Sequence, residues 1–158
     1  MGLHIVLYQP EIPANTGNIA RTCLATNTTL HLIHPLGFST DNKMLLRAGL
    51  DYWKHVNIIE HESVDAFYEA NQEGKIYYIE NFGSKYYTEQ DYSDVDEEIY
   101  FMFGRETSGI PRELIAGKEE NCLRVHMGGD KVRSLNLGNT AAIVLYEALR
   151  QQGFPEMK

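Results

Sequence analysis

The chain begins with "LHIVLY", a short apolar run rich in β-branched residues, and the same character returns at "LHLIH". Between them "NTGNIARTCLATN" places Ile19 and Cys23 on one helical face, with Ala20 and Leu24 beside them, so the order reads strand, helix, strand. The alternation continues. It predicts a helix over residues 41–50, a strand at "HVNIIE", a helix at "SVDAFYEANQ", strands at "KIYYIE", "EIYFMFG" and "NCLRVHM", and a last helix in "VRSLNLGNTAAIVLYEAL". Strands alternating with helices predict an α/β fold, a mostly parallel sheet with helices on both faces. With no internal repeat, low-complexity tract or linker composition, residues 1–158 read as a single domain.

Composition changes this picture in two places. A hydrophobic content of 43% over 158 residues is enough for a real core, and the start of the chain has neither a signal peptide nor a membrane span, so a cytoplasmic protein is expected. The net charge of −8 argues against a nucleic-acid partner until its distribution is considered. Between Glu60 and Glu98 there are twelve acidic residues and two lysines, net −10, which leaves ten acidic and twelve basic residues elsewhere, net +2. The acidity belongs to one segment, and its densest part, "EQDYSDVDEE", reads as a solvated loop leading into a strand. Cys23 and Cys122 form no C-x-x-C, and the six histidines show no metal-ligand spacing, so buried reduced thiols and no metal are expected.

In open α/β sheets ligands sit beyond the carboxyl ends of the strands, which directs attention to three loops. The first, "PEIPANTGNIARTC", offers Asn15, Thr16 and Gly17 as helix caps, free backbone N–H groups for an anion, and Arg21 about one turn on. A plain helix start with an exposed arginine accounts for it equally. The second, "FMFGRETSGIPREL", ends a buried strand at Gly104 and sets Arg105 and Glu106 beside a turn at Gly109, with Pro111 suited to the first turn of a helix. A structural strand-turn-helix corner with an Arg/Glu pair is the alternative. The third, "HMGGDKVRSLNLGNTAAIVLYEAL", gathers Lys131, Arg133, Ser134 and Asn136 before the helix, more than the single side chain a cap needs. Asn139 and Thr140 are read as satisfying backbone groups. None of the three is G-x-G-x-x-G or G-x-x-x-x-G-K-[ST], so the usual dinucleotide and P-loop readings fail.

Together, "NTGNIARTC", "FGRETSGIP" and "VRSLNLGNTAAIVLYEA" resemble the three motifs of the SPOUT RNA methyltransferases, over nearly the whole chain. The opening "IVLYQPEIPANTGNIAR" and "PLGFSTDNKMLLRAGLDYW" are similar to the minimal tRNA (cytidine/uridine-2'-O)-methyltransferases that modify the wobble nucleotide. The resemblance implies a catalytic module without an appended RNA-binding domain, a C-terminal deep trefoil knot, a homodimer with the last helix packed against its partner, and S-adenosyl-L-methionine as cofactor. It places the cofactor on Ile79, Gly104, Val125, Met127, Ser134 and Leu135. An apolar slot with a few backbone donors and acceptors suits an adenine.

By the same resemblance Arg21, Ser134 and Asn136 carry the catalysis. Because an arginine stays protonated, Arg21 is expected to hold a substrate phosphate and the developing 2'-oxyanion rather than act as base, while Ser134 and Asn136 position hydroxyl and cofactor. Asn15 is expected to orient Arg21 or its loop, and Glu106 to bridge Arg21 or a backbone group. Lys43, Arg47, Lys54, Arg105, Arg112, Lys131 and Arg133 would form a basic rim for a tRNA anticodon stem-loop. One departure is Gly138, in "LNLGN" where relatives commonly carry "LNLSN". Two competing readings remain: a knotted RNA-binding or assembly factor without catalysis, and a nucleotide-dependent oxidoreductase, which lacks the glycine fingerprint.

Overall fold

The computed structural model describes residues 2–158, apart from the side chains of residues 49–51. Among these residues seven strands form one sheet in the order β3-β2-β1-β6-β4-β7-β5, and every adjacent pair is parallel. The strands are β1 (Gly2–Tyr8), β2 (Thr29–Ile33), β3 (Ile58–His61), β4 (Lys75–Ile79), β5 (Lys85–Tyr86), β6 (Glu98–Phe103) and β7 (Cys122–Arg124). The helices are α1 (Pro13–Ala25), α2 (Lys43–Gly49), α3 (Val64–Ala70), α4 (Arg112–Ile115) and α5 (Leu137–Gln151).

Alternate residues of the central strands feed two cores. Ile5, Leu7, Phe101 and Phe103 pack with Ile19, Ala20 and Cys23 of α1 and with Val144, Leu145 and Ala148 of α5. Val6, Tyr8, Tyr100 and Met102 face the other way, toward Phe67 of α3 and Ile115 of α4. Helices on both faces explain why β1 and β6 are apolar almost throughout, as a parallel sheet buried on both sides requires. Both cysteines are free and buried.

The elements depart from the sequence reading where side chains find other partners. The helix expected over 41–50 becomes α2 followed by a 3₁₀ turn, Leu50–His55. Val56 is buried from that turn, its N–H on the Trp53 carbonyl at 3.3 Å, so β3 begins at Ile58 rather than at His55. The strand read as "NCLRVHM" pairs over Cys122–Arg124 only, because β4 ends at Ile79 and β5 at Tyr86 and no strand pairs with the next residues. Val125 and Met127 are thereby released toward the ligand side. The acidic loop "EQDYSDVDEE" is mostly exposed but is pinned by Tyr92, fully buried with its hydroxyl donating to the Tyr87 carbonyl at 2.5 Å. No helix among the described residues is long and apolar enough to cross a membrane.

Candidate active site

At the carboxyl ends of β4, β6 and β7 lies a cleft of about 610 Å³. Ile79, Gly104, Val125, Met127, Ser134 and Leu135, the six positions expected to hold the cofactor, all line it, and so do Asn15, Glu106, Arg133 and Asn136. Arg21, Lys43 and Arg47 do not.

The second loop is closed on itself. The Arg105 N–H donates to the Gly109 carbonyl at 3.3 Å and the Gly109 N–H donates to Arg105 at 2.9 Å, a tight return that needs the positive φ of +73° at Gly109. A side chain on Gly104 would collide with the Gly109 and Ile110 backbone, so glycine there is a packing requirement. Arg105 forms no pair with Glu106: its guanidinium binds the Gln9 side chain, at 3.0 Å through Nε, and lies 5.0 Å from the Tyr8 ring centre.

Glu106 acts on the first loop. Its carboxylate accepts the N–H groups of Glu11 and Ile12, each at 2.8 Å, and the Asn15 amide at 3.3 Å. In return the Glu11 carboxylate accepts the Thr107 N–H at 3.0 Å and hydroxyl at 2.8 Å, which holds its pKa below the usual value. The resident carboxylate thus takes two N–H groups just before α1, and the Asn15 and Thr16 N–H groups bond the Ile12 carbonyl at 3.1 and 3.4 Å, which corrects the expectation that they stand free for an anion. Helix α1 also starts earlier than read, at Pro13 after Ile12, so Asn15, Thr16 and Gly17 are buried within it rather than capping it. Asn15 bonds Glu106 and Asn136, and among the described residues no hydrogen bond joins it to Arg21.

In the third loop Asn136 has two structural bonds. Its Oδ1 caps α5 by accepting the Asn139 N–H at 3.2 Å, and its Nδ2 donates to Asn15 Oδ1 at 3.2 Å, joining the first motif to the third. Thr140 donates its hydroxyl to the Asn136 carbonyl at 3.0 Å, the backbone role read for it. A Cβ on Gly138 would stand 3.2 Å from Asn136 Oδ1, so glycine leaves the capping oxygen uncrowded. Ser134 is exposed at the cleft, and the carbonyl of neighbouring Arg133 accepts from Asn81 Nδ2 at 3.2 Å.

Away from the cleft, α2 packs on α1. Arg21, Lys43 and Arg47 are exposed there, with the Arg21 guanidinium 5.2 Å from the Tyr52 ring centre. Sequence reasoning missed Glu80, Phe82 and the stacking of Arg112 on Phe82 at 3.6 Å, all in the cleft wall. The available signal was the acidic residue closing "KIYYIE", at the end of a strand aimed at the ligand side.

A cleft of this size beyond parallel strands, walled by apolar side chains and glycine turns, marks an α/β protein with room for a nucleoside-sized ligand. The chain belongs to the SpoU rRNA Methylase family, whose model matches residues 2–146. It is 66% identical to a Geobacillus stearothermophilus protein, with 98% of each chain covered. It is 44% identical to the tRNA (cytidine(34)-2'-O)-methyltransferase of Escherichia coli (strain K12), over 97% of this chain and 96% of that one. A solved structure described in terms of the 2-OH methylation of C/U34 on tRNA matches with a TM-score of 0.88 at 43% identity, covering 96% of both chains. A SpoU methyltransferase from Streptomyces viridochromogenes, solved with S-adenosylmethionine, shares the fold at a TM-score of 0.79 and 21% identity, over 96% of this chain and 60% of that one.

Proposed function

We propose that this chain is an S-adenosylmethionine-dependent enzyme that methylates the ribose 2'-hydroxyl of the wobble nucleotide, cytidine or modified uridine at position 34, in tRNA anticodon loops. The observation that supports it most is the convergence of Ile79, Gly104, Val125, Met127, Ser134 and Leu135 on one cleft from parts of the chain up to 56 residues apart (135 − 79). Its volume and lining fit the cofactor: apolar side chains for an adenine, exposed backbone at the glycine turn, and polar groups at one wall.

When bound, S-adenosylmethionine supplies an activated methyl on its own leaving group. The protein must then align the ribose hydroxyl and manage its proton. Ser134 and Asn136 stand at the cleft to orient the hydroxyl, and the Asn136–Asn15 bond holds that wall still. Arg21, permanently cationic, stabilises the developing oxyanion and holds a phosphate, with Lys43 and Arg47 beside it on the same flank and Arg133 at the cleft.

Because Arg21 stands outside its own chain's cleft, the reading includes a homodimer in which the α1–α2 flank of one subunit serves the cleft of the other. Exposed Ile143 and Tyr146 on α5 suit such a contact. A trefoil knot is supported by the path after β7: from beyond β4 the chain returns past Asn81, which holds the Arg133 carbonyl, to α5 against β1 and β6.

The test is labelled methyl transfer to total tRNA from a strain lacking this activity, with the modified nucleotide mapped and the enzyme sedimented in the same buffer. Label at the wobble ribose on a particle of two chains is expected. Label elsewhere in tRNA rejects the substrate reading, and cofactor binding without any transfer would favour a silent RNA-binding factor.

A further inference from the structure

Five ionisable side chains line the cleft: Glu80, Arg105, Glu106, Arg112 and Arg133. Glu106 is occupied by the approach to α1, Arg105 by Gln9 and Ser108, and Arg112 by the Phe82 ring. Glu80 stands differently. Its backbone is fixed by an N–H bond to the Leu123 carbonyl at 2.9 Å and by the Gly83 N–H on its own carbonyl at 3.1 Å. Its carboxylate accepts the Ile110 N–H at 2.5 Å through Oε1 and is also lowered in pKa by the Asn81 amide. Gly109 makes this approach possible, since a side chain there would strike Oε1.

An ionised carboxylate offers about four acceptor sites, and the two amides use two of them. The remaining acceptor capacity stands at the cleft, half-buried, in a group whose pKa burial raises while the two amides and the Arg112 charge oppose the rise. Glu80 is also the next residue after Ile79, which belongs to the slot proposed for the adenine. A ligand group met there must donate hydrogen bonds and carry no negative charge. The vicinal hydroxyls of a ribose attached to that adenine meet both conditions, and an acidic residue at a strand end accepts a ribose in the same way in dinucleotide folds.

We infer that Glu80 is the acceptor for the ribose hydroxyls of the bound cofactor, and that it selects an adenine nucleoside over a nucleotide carrying phosphate on that ribose. The inference rests on the S-adenosylmethionine reading of the cleft. Hydrogen bonds to a charged group are worth roughly 10- to 100-fold in affinity, and phosphate in their place would face like charge in a partly desolvated site.

The test is calorimetric binding of S-adenosylhomocysteine and of its 2'-deoxy and 3'-deoxy analogues to the full chain and to Glu80→Gln. The glutamine keeps a carbonyl oxygen for the Ile110 N–H, and a melting curve checks that it folds. Wild type is expected to lose about 10-fold or more on deletion of at least one hydroxyl. Glu80→Gln is expected to bind S-adenosylhomocysteine about 10-fold more weakly and to be indifferent to the same deletion, the signature of a direct contact. If the two losses multiply instead, Glu80 acts only by bracing the Gly109 turn and the inference is overturned. It is equally overturned if wild type ignores both deletions, or if the variant binds S-adenosylhomocysteine as tightly as wild type. No binding of S-adenosylhomocysteine by wild type would reject the cofactor reading itself, and this inference with it.

Discussion

At the carboxyl ends of the strands the carboxylates of Glu106, Glu11 and Glu80 each hold backbone N–H groups of another loop, whereas beneath α3 a second polar group, His4, His31 and His61, runs across β1, β2 and β3. His31 bonds His4 at 2.9 Å and His61 at 2.9 Å, and His4 bonds Glu98 at 2.8 Å. The rings pack on Phe67 and Tyr100. A neutral imidazole has one N–H, so His4 donating to Glu98 must accept from His31, which must accept from His61. The chain passes its donors one way, from His61 through His31 and His4 to Glu98, and so spends its polarity within the sheet. The carboxylates spend their acceptors on loop backbone, and Glu80 keeps acceptor capacity at the cleft. Among the described residues no group of three histidine, cysteine or carboxylate side chains is arranged to hold a metal ion, in either region. Buried polarity is tolerated in both regions, but only the histidines tie it to protonation near neutral pH.

The largest expected effect follows from that tie. Burial lowers His4 to about 4 and His31 to about 3, from 6.5 in the unfolded chain, and lowers His61 as well. Between pH 6.5 and about 4 the unfolded chain binds protons that the folded rings refuse. Stability is therefore fully present above pH 6.5 and falls as the pH drops through this window, by up to about 1.4 kcal/mol per unit for each ring. Discounted for partial exposure of His4, the midpoint of thermal unfolding should lie roughly 6–12 °C lower at pH 5 than at pH 7. His31→Leu should flatten this dependence while lowering stability at pH 8. An unfolding midpoint constant from pH 7 to pH 5 would show that the two regions do not differ as described.

Glu106→Gln probes the cleft side of the comparison. An amide has one acceptor oxygen, so either the Glu11 or the Ile12 N–H must face an NH₂ group. An unsatisfied donor of this kind costs about 2 kcal/mol, or roughly 4–8 °C in a chain of this size. The loss should be equal at pH 6 and pH 8, unlike the histidine effect. Unchanged melting would mean that Glu106 does not clamp the approach to α1.

These contrasts also mark what was readable from residues in order. β1, β2, β4 and β6 announce themselves because a strand buried on both faces is a largely apolar run, broken here only by single polar residues such as His4 and His31, and α5 because Val144, Leu145 and Ala148 recur at helical spacing. β5, only Lys85–Tyr86, has no pattern to show. In the site, the six positions that the motif resemblance assigns to the cofactor all line the cleft, but the partners of the polar residues did not follow from sequence. Asn136 meets Asn15 across 121 positions and Glu106 meets Glu11 across 95, pairings fixed by how strands order in the sheet rather than by local spacing. The histidine chain was invisible for the same reason: His4, His31 and His61 become neighbours only once β1, β2 and β3 are placed in register.

The smallest effect concerns Gly138, the residue at which this chain departs from "LNLSN". It is the second residue of α5, where glycine costs a helix backbone entropy of up to about 1 kcal/mol relative to alanine. Serine would recover part of that, but its Cβ would stand 3.2 Å from Asn136 Oδ1, the oxygen that caps the helix and belongs to the side chain joined to Asn15. Asn18 Cβ, at 3.8 Å, is at ordinary contact distance and does not oppose the change. The gain and the crowding are of similar size, so Gly138→Ser should shift stability by no more than about 0.5 kcal/mol, with a stabilising sign if Asn136 yields by a few tenths of an ångström. A loss above about 1 kcal/mol, the usual cost of a missing cap, would mean that the Asn136 side chain cannot move. The wall joining the first and third motifs would then be as rigid as the histidine chain, and its polar groups would be structural before they are catalytic.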